Sequence, residues 1–232
     1  MNIIDKNAPV AINKCEKYNY SQVFTVVNKQ IKALLDGENI FESKNVVIKP
    51  NLLMKASPDK AVTTHPIVME AVINCIKLYN PSSITIAESP GGPYTATTLG
   101  IIYKATGMVD VAQKCGVELN YDTSSEQISN PEGAVCKTFD IITPIKNADV
   151  IVNVCKLKTH SLTTMSASVK NLFGTIPGIE KFEMHIRYKD LAIFEKMLAD
   201  LCLMHLKRSP MLCIMDAING MEGNGPQAKG EA

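Results

Sequence analysis

Short runs of aliphatic and β-branched residues alternate along this chain with segments in which apolar residues recur every three or four positions. The first pattern is typical of buried strands, and the second is typical of amphipathic helices. Strands are predicted at 46–48, 84–87, 150–154 and 211–215, and helices at about 21–35, 66–79 and 188–206. This alternation predicts an α/β fold, because strands that are separated by helices pair in parallel and the helices cover the sheet.

The chain has 232 residues, of which 46% are hydrophobic, and no repeat, low-complexity tract or linker divides it. We therefore expect residues 1–232 to form one α/β domain, with a mostly parallel sheet and helices on both faces in an open Rossmann-like three-layer arrangement. Residues 120–140 include the most polar stretch and are predicted to form a surface excursion or a small lobe. Residues 183–187 are predicted to be a polar link before the long helix at 188–206.

Composition argues against several classes of protein. The 24 Lys and Arg residues almost balance the 23 Asp and Glu residues, so nothing in the net charge favours binding to nucleic acid or to an anionic membrane. No apolar run reaches the roughly 18 residues of a membrane-spanning helix. The seven cysteines are odd in number and contain no C-x-x-C pair, which predicts reduced thiols in a cytoplasmic protein and no locally ligated zinc or iron–sulfur site.

Polar residues follow each of the four predicted strands. If the strands are parallel, these residues meet at one edge of the sheet, where open α/β folds bind their ligands. The residues concerned are Lys49 and Asn51 after the first strand, Glu88 after the second, Lys156, Lys158 and His160 after the third, and Asp216 and Glu222 after the fourth.

The nitrogen donors at this edge suit the oxygens of a phosphate, a carboxylate or an enolate. The predicted ligand-binding residues are Lys49, Asn51, His65, Lys156, Lys170 and Asn171. His65 precedes Pro66 at the start of a predicted helix, whose free N–H groups could seat an anion.

Three residues are predicted to be catalytic. Alternation in an extended segment would put Lys156, Lys158 and His160 on one face, where the three could supply anion contacts and a proton donor, with Lys158 and His160 as the catalytic residues. Glu88 could act as a base. A divalent metal could instead be held by Glu88, Asp216 and a histidine.

Six motifs resemble the domain of unknown function 362 family, which is biochemically uncharacterised. They are V-V-I-K-P-N-L (46–52), T-T-H-P (63–66), I-A-E-S-P-G-G (86–92), K-L-K-T-H (156–160), V-K-N-L-F-G (169–174) and M-E-G-N-G-P (221–226).

The resemblance implies a link to redox chemistry, because family members are commonly longer and often carry a ferredoxin-like module with two 4Fe-4S clusters. This chain ends six residues after Pro226 and lacks that module. We therefore expect it to be truncated at the C-terminal end of the domain, and we assign no cluster to its residues.

The leading hypothesis is a domain that binds a small anionic substrate or cofactor at the carboxyl edge of its sheet. Its partner would be a ferredoxin-like module in cis or in trans, and its reaction would be that of an oxidoreductase. One alternative is a non-catalytic electron-transfer or ligand-sensing component. Another is an isomerase or racemase without net redox change.

Overall fold

A computed structural model describes residues 8–226 and the backbone of residues 230 and 231. The strands are β1 (Asn45–Pro50), β2 (Ser83–Ile86), β3 (Glu118–Leu119), β4 (Ser125–Ser129), β5 (Thr138–Ile142), β6 (Val150–His160), β7 (Thr164–Ser166), β8 (Met211–Gly223) and β9 (Gly230–Glu231). The α-helices are α1 (Tyr20–Leu35), α2 (Pro66–Lys77), α3 (Ala96–Ala105), α4 (Met108–Cys115), α5 (Thr143–Lys146), α6 (Ser168–Asn171), α7 (Gly178–Arg187) and α8 (Leu191–Arg208). Short 3-10 turns occur at Pro58–Lys60 and Leu172–Thr175.

The central sheet has the strand order β3-β2-β1-β6-β8-β9. The pairs β2–β3, β1–β2, β1–β6 and β6–β8 are parallel, whereas β7 on β6 and β9 on β8 are antiparallel. This confirms the predicted α/β class with a mostly parallel sheet. The four predicted strands therefore do end at the same edge.

Strand β6 is longer than predicted. The sequence predicts a strand at 150–154 followed by polar residues, and the structure continues this strand to His160. The added residues stay extended because β7 pairs with 158–160 on one side and β8 pairs with Lys156 and Lys158 on the other, which satisfies their backbone groups. Strand β8 likewise runs to Gly223, beyond its predicted end at residue 215.

Alternation along the strands divides the core between the two faces of the sheet. Val152 and Val154 belong to one core, which also contains residues of α1, α2, α3 and α4. Val47 and Ile151 point to the other core, which contains residues of α5, α7 and α8. Helices therefore cover both faces, as the sequence predicts.

Residues 120–140 contain β4 and most of β5, which form a small antiparallel sheet. Ile128 pairs with Phe139 in this sheet, and both side chains are buried in the second core. Two apolar side chains of this polar segment therefore pack it against the rest of the domain.

The prediction that residues 183–187 form a link is wrong, because they are the last half of α7. Helix α7 has an unusual orientation. Its apolar residues Ile179, Phe182 and Ile186 recur at helical spacing but are 64%, 67% and 63% exposed, while Lys181 and Met184 are buried. A helix that turns its polar side inward does not show the apolar face on which sequence analysis relies.

All seven cysteines are free in the structure. That a cytoplasmic compartment keeps them reduced stays a prediction. Among the helices of the described residues, none combines the length and the hydropathy needed to cross a bilayer.

Candidate functional site

A cavity of about 250 Å³ opens at the carboxyl edge of the sheet, on the face that carries α7 and α8. Its wall comes from the segments after β1 and β2, the end of β6, and the region from α6 to α7. The lining residues are Lys49, Asn51, Leu53, Glu88, Ser89, Gly91, His160, Lys170, Asn171, Phe173, Gly174, Gly178, Lys181, Phe182, His185 and Pro226.

A buried ion pair forms the floor of this cavity. Lys49 Nζ lies 2.9 Å from Glu88 Oε2 and also donates to the Pro50 carbonyl at 2.9 Å, while the Leu52 backbone N–H donates to the same carboxylate oxygen at 3.0 Å. Burial lowers the pKa of Lys49, and the Glu88 charge opposes that shift. Gly174 makes room for the pair, since a Cβ there would overlap Glu88 Oε1 and lie 2.7 Å from Lys49 Nζ.

Two further lysines face the same space. Lys181 is buried and donates to the carbonyl and the hydroxyl of Ser89. Lys170 is half-buried, and its Nζ lies 4.7 Å from the centroid of the Phe173 ring. Burial and the charge of Lys49 lower the pKa of Lys170 to about 8. Burial is also the main cause that lowers the pKa of Lys181 to about 7.

Two histidines complete the polar lining. The Nδ1 atom of His160 accepts the backbone N–H groups of Leu162 and Thr163, at 3.1 and 3.3 Å. The proton of the neutral ring is therefore on Nε2. Burial and the charge of Lys170 lower the pKa of His160 to about 4, so the ring is neutral at pH 7. His185 stacks on Phe194 with ring centroids 4.6 Å apart.

A chain of amides fixes Asn51 and Asn171 at the cavity wall. Lys158 Nζ donates to Asn51 Oδ1 at 2.7 Å, and Asn51 Nδ2 donates to Asn171 Oδ1 at 2.8 Å. Asn171 Nδ2 in turn donates to Asn153 Oδ1 at 2.7 Å, and Asn153 donates to the Ser168 carbonyl at 2.9 Å. Since every amide points in the same direction, Lys158 sets the orientation of the whole chain.

A second polar cluster lies at the same edge of the sheet but on the opposite face. Lys156 and Asp216 are neighbours across β6 and β8, and their Nζ and Oδ2 atoms lie 3.0 Å apart. Tyr18 donates to Asp216 Oδ1 at 2.9 Å and accepts from Lys156 Nζ at 2.7 Å. The His65 ring stacks on Tyr18 with centroids 3.7 Å apart. We call these four residues the closed cluster.

Backbone N–H groups at the start of α2 donate hydrogen bonds to side chains of the closed cluster. The His65 backbone N–H donates to Asp216 Oδ2 at 3.0 Å, and the Ile67 N–H donates to the His65 ring at 3.2 Å. The N–H groups of Val68 and Met69 donate to the His65 carbonyl, so the start of α2, where the sequence predicts an anion seat, is already bonded within the protein.

The structure places six of the nine predicted site residues on the cavity wall: Lys49, Asn51, Glu88, His160, Lys170 and Asn171. Lys158 lies behind Asn51, and Lys156 and His65 belong to the closed cluster. The pairing of β6 with β8 shifts register between Lys156 and Lys158, and the three basic residues of 156–160 have separate surroundings.

Sequence reasoning missed Lys181 and offered no role for His185. The signal was present, because the two residues are four positions apart and therefore lie on one side of a helix. It was hidden by the prediction of a polar link in that region.

Within the described residues, no three His, Cys, Asp or Glu side chains come together as a metal site. Two members of the metal set that the sequence suggested are separated. Glu88 is in the cavity, and Asp216 is in the closed cluster.

The family described as "Domain of unknown function (DUF362)" matches residues 46–232, and the chain belongs to this family. The chain is also similar to a thylakoid-associated protein of Synechocystis sp., with 28% identity over 202 residues. That alignment covers 82% of this chain and 56% of the relative, so the chain spans little more than half of the relative's length.

Proposed function

We propose that this member of the domain of unknown function 362 family binds a small anion, carrying a carboxylate or a phosphate group, in its lysine-rich cavity. The observation that carries the proposal is an imbalance of charge. Lys49, Lys170 and Lys181 line one cavity, and among the described residues Glu88 is the one carboxylate in the lining. Glu88 is already paired with Lys49, so two lysines face the cavity without a carboxylate partner among those residues.

Burial is the main cause that lowers the pKa values of Lys170 and Lys181. The charge of Lys49 lowers both further and the charge of Glu88 opposes the shift, with Glu88 ranking above Lys49 at Lys181. An anion between the two amino groups would favour their protonated form, since an opposite charge within a few ångströms raises the pKa of a lysine. Binding of an anion would thus offset part of the cost of burying these two ammonium groups.

The volume of the cavity limits the ligand. Pockets for drug-sized molecules hold about 300–1,000 Å³, and this one holds about 250 Å³. Phe173 and Phe182 add apolar wall next to the cations, which suits a short carbon skeleton better than a bare inorganic ion.

The predicted residues have distinct roles in this proposal. Lys170 and Lys181 would contact the anion directly, and His160 would donate from Nε2. Lys49 and Glu88 would form the floor of the cavity and keep its shape. Lys158 would act through Asn51, as a positioning residue.

A redox role with a ferredoxin-like module as partner rests on the family resemblance alone and stays a prediction. No contact among the described residues favours electron transfer, or an isomerase reaction, over plain binding. The proposal is therefore limited to anion binding, and reaction type stays a prediction.

The test is a thermal unfolding series with sulfate and with malonate at constant ionic strength, against chloride. A ligand at 100 times its dissociation constant stabilises the folded state by about 2.7 kcal/mol, which is readily measured as a shift in Tm. We expect the divalent anions, but not chloride, to raise the Tm.

The matched variants are Lys170→Met and Lys104→Met, which remove one positive charge in the cavity and one on the exposed side of α3. The anion-dependent shift should disappear in the first variant and persist in the second. Equal shifts in both variants, or equal shifts with chloride, would contradict a specific anion site.

A further inference from the structure

We propose that Lys170 is a nucleophile that forms a Schiff base with the carbonyl group of a small 2-oxo acid. This inference rests on the proposed function, since the carboxylate of the 2-oxo acid would be the bound anion. It adds a substrate class and a covalent step to simple binding.

Lys170 differs from the neighbouring lysines in its contacts. Lys49 is held by Glu88, Lys181 by Ser89, and Lys158 by Asn51 and the Val62 carbonyl. Within the part of the chain that the structure describes, Lys170 Nζ has no hydrogen-bond or ion-pair partner, and it lines the cavity. Of these four lysines, Lys170 is thus the one that no acceptor among the described residues holds in place, so its nitrogen can move to a carbonyl carbon in the cavity.

The surroundings of Lys170 also favour the neutral amine, which is the form that attacks. Lysines become nucleophilic when they are desolvated or placed next to another cation. Both conditions hold here, because burial lowers the pKa of Lys170 and the charge of Lys49 lowers it further, although the Phe173 ring and the Glu88 charge favour the ammonium form. A pKa of about 8 leaves a useful fraction of unprotonated amine near neutral pH.

The rest of the cavity suits a carboxylate next to a carbonyl group. A protonated Lys181 donates two of its three N–H groups to Ser89 and keeps the third for the carboxylate, and the Nε2–H of His160 can donate to the carbonyl oxygen. His160 and Lys170 are close enough for the charge of Lys170 to lower the pKa of the imidazole. A 2-oxo acid places its two functional groups on adjacent carbons, which matches a site with cation, donor and amine together.

The proposed step is balanced. The amine nitrogen forms a bond to the carbonyl carbon, and the carbonyl oxygen leaves as water with the two hydrogens of the amine. The product is an imine, and no oxidant or reductant takes part.

The experiment uses the full 232-residue chain, pyruvate as the probe and borohydride to reduce any imine to a stable amine. We expect intact mass spectrometry to show an increase equal to one pyruvic acid less one oxygen atom. Peptide mapping should place the adduct on Lys170, and Lys104 serves as an exposed reference site.

The control variants are Lys170→Arg and Lys104→Arg, which keep the charge but remove one amine each, in the cavity and on the exposed side of α3. We expect at least about a tenfold loss of adduct in Lys170→Arg and little loss in Lys104→Arg, since a guanidinium group stays protonated and does not attack. Circular dichroism of each variant checks that it is folded. Peptide mapping of the adduct on the wild-type chain tests the proposal even if a variant does not fold.

Lactate, which lacks the carbonyl group, separates the two proposals. If pyruvate and lactate both raise the Tm but pyruvate leaves no adduct on Lys170, the Schiff base is wrong and anion binding stands. Adduct spread equally over Lys170 and Lys104 would also overturn the Schiff-base inference. If neither acid raises the Tm of the wild-type chain and no adduct forms, anion binding by such acids fails together with it.

Discussion

The closed cluster and the cavity lie at the same edge of one sheet, on its two faces, and they use the same residue types differently. In the closed cluster, Lys156 has a carboxylate and a phenol as partners, and its side chain is 1% exposed. In the cavity, Lys170 is half-buried and lies over an aromatic ring instead. The comparison teaches that a lysine near a strand end indicates a ligand site only when the fold has not already neutralised it.

The same comparison separates stability from binding. Charges in the closed cluster are mutually satisfied, so removing one leaves its partner buried without compensation. In the cavity, burial and the charge of Lys49 act against the ammonium form of Lys170, so removing Lys170 relieves the folded state while weakening the binding of an anion. Substitutions on the two faces should therefore have opposite consequences.

The largest effect is expected from Lys156→Met. This change leaves the Asp216 carboxylate buried beside β6 without its cation, which costs about 3–5 kcal/mol of unfolding free energy. Urea denaturation measures the loss. Asp216→Asn in the same background should recover part of it, because a neutral amide costs less to bury than an unpaired carboxylate. A loss below about 1 kcal/mol would show that the cluster is not closed.

Gly174→Ala is expected to have the next largest effect. The added Cβ would overlap Glu88 Oε1, and the Lys49–Glu88 pair would have to shift, at a cost of about 1–3 kcal/mol. Thermal or urea unfolding gives the value. Gly92→Ala is the control, since a Cβ at Gly92 would meet no atom within 4 Å. Equal destabilisation by both substitutions would contradict the close packing of Gly174 against the Lys49–Glu88 pair.

The unfolding free energy and the affinity for sulfate should change in opposite directions as the pH rises. The folded-state pKa values of Lys170 and Lys181, about 8 and about 7, lie below the value of about 10.5 in the unfolded chain. The unfolded state therefore binds more protons above about pH 7, and these two groups make stability rise with pH up to about 10.

Sulfate keeps its charge over this range, so its binding reports the lysines. From about pH 6 to about pH 9 its affinity should fall by about 1 kcal/mol, if each neutralised ammonium group contributes about 0.5 kcal/mol. Isothermal titration calorimetry measures the trend. An affinity that rises with pH would be incompatible with the two lysines as anion ligands.

The smallest effect on stability is expected from Lys170→Met. Among the described residues the substitution breaks no hydrogen bond, and it relieves the repulsion from Lys49, so the unfolding free energy should stay within about 1 kcal/mol of the wild-type value. Urea denaturation of Lys170→Met and Lys156→Met under the same conditions compares the stability cost of losing a lysine on each face of the sheet. A loss as large as that of Lys156→Met would remove the distinction between the two faces.

The fold class and the meeting of polar residues at one edge could be predicted from the sequence. Runs such as Val46–Ile48 and 150–154 identify buried strands, and parallel pairing then brings the residues at their carboxyl ends together. This reasoning also identified Lys49, Glu88 and Lys170, which line the cavity.

The sequence could not divide these residues between the two faces. Side-chain alternation assigns a face only while the register is regular, and the pairing of β6 with β8 shifts between Lys156 and Lys158. It also could not show that Asp216 would be the neighbour of Lys156, because that depends on how β8 pairs with β6. The partners of each lysine were therefore beyond prediction.

Helix α7 has a consequence for the dynamics of the molecule. Ile179, Phe182 and Ile186 face outward, so this helix buries little apolar area and should be among the first segments to detach in native-state fluctuations. It supplies Lys181 and His185 to the cavity, and a bound anion would therefore fasten α7 to the sheet. The backbone amides of α7 should then exchange hydrogen for deuterium more slowly when the cavity is filled, which makes the helix a reporter of occupancy.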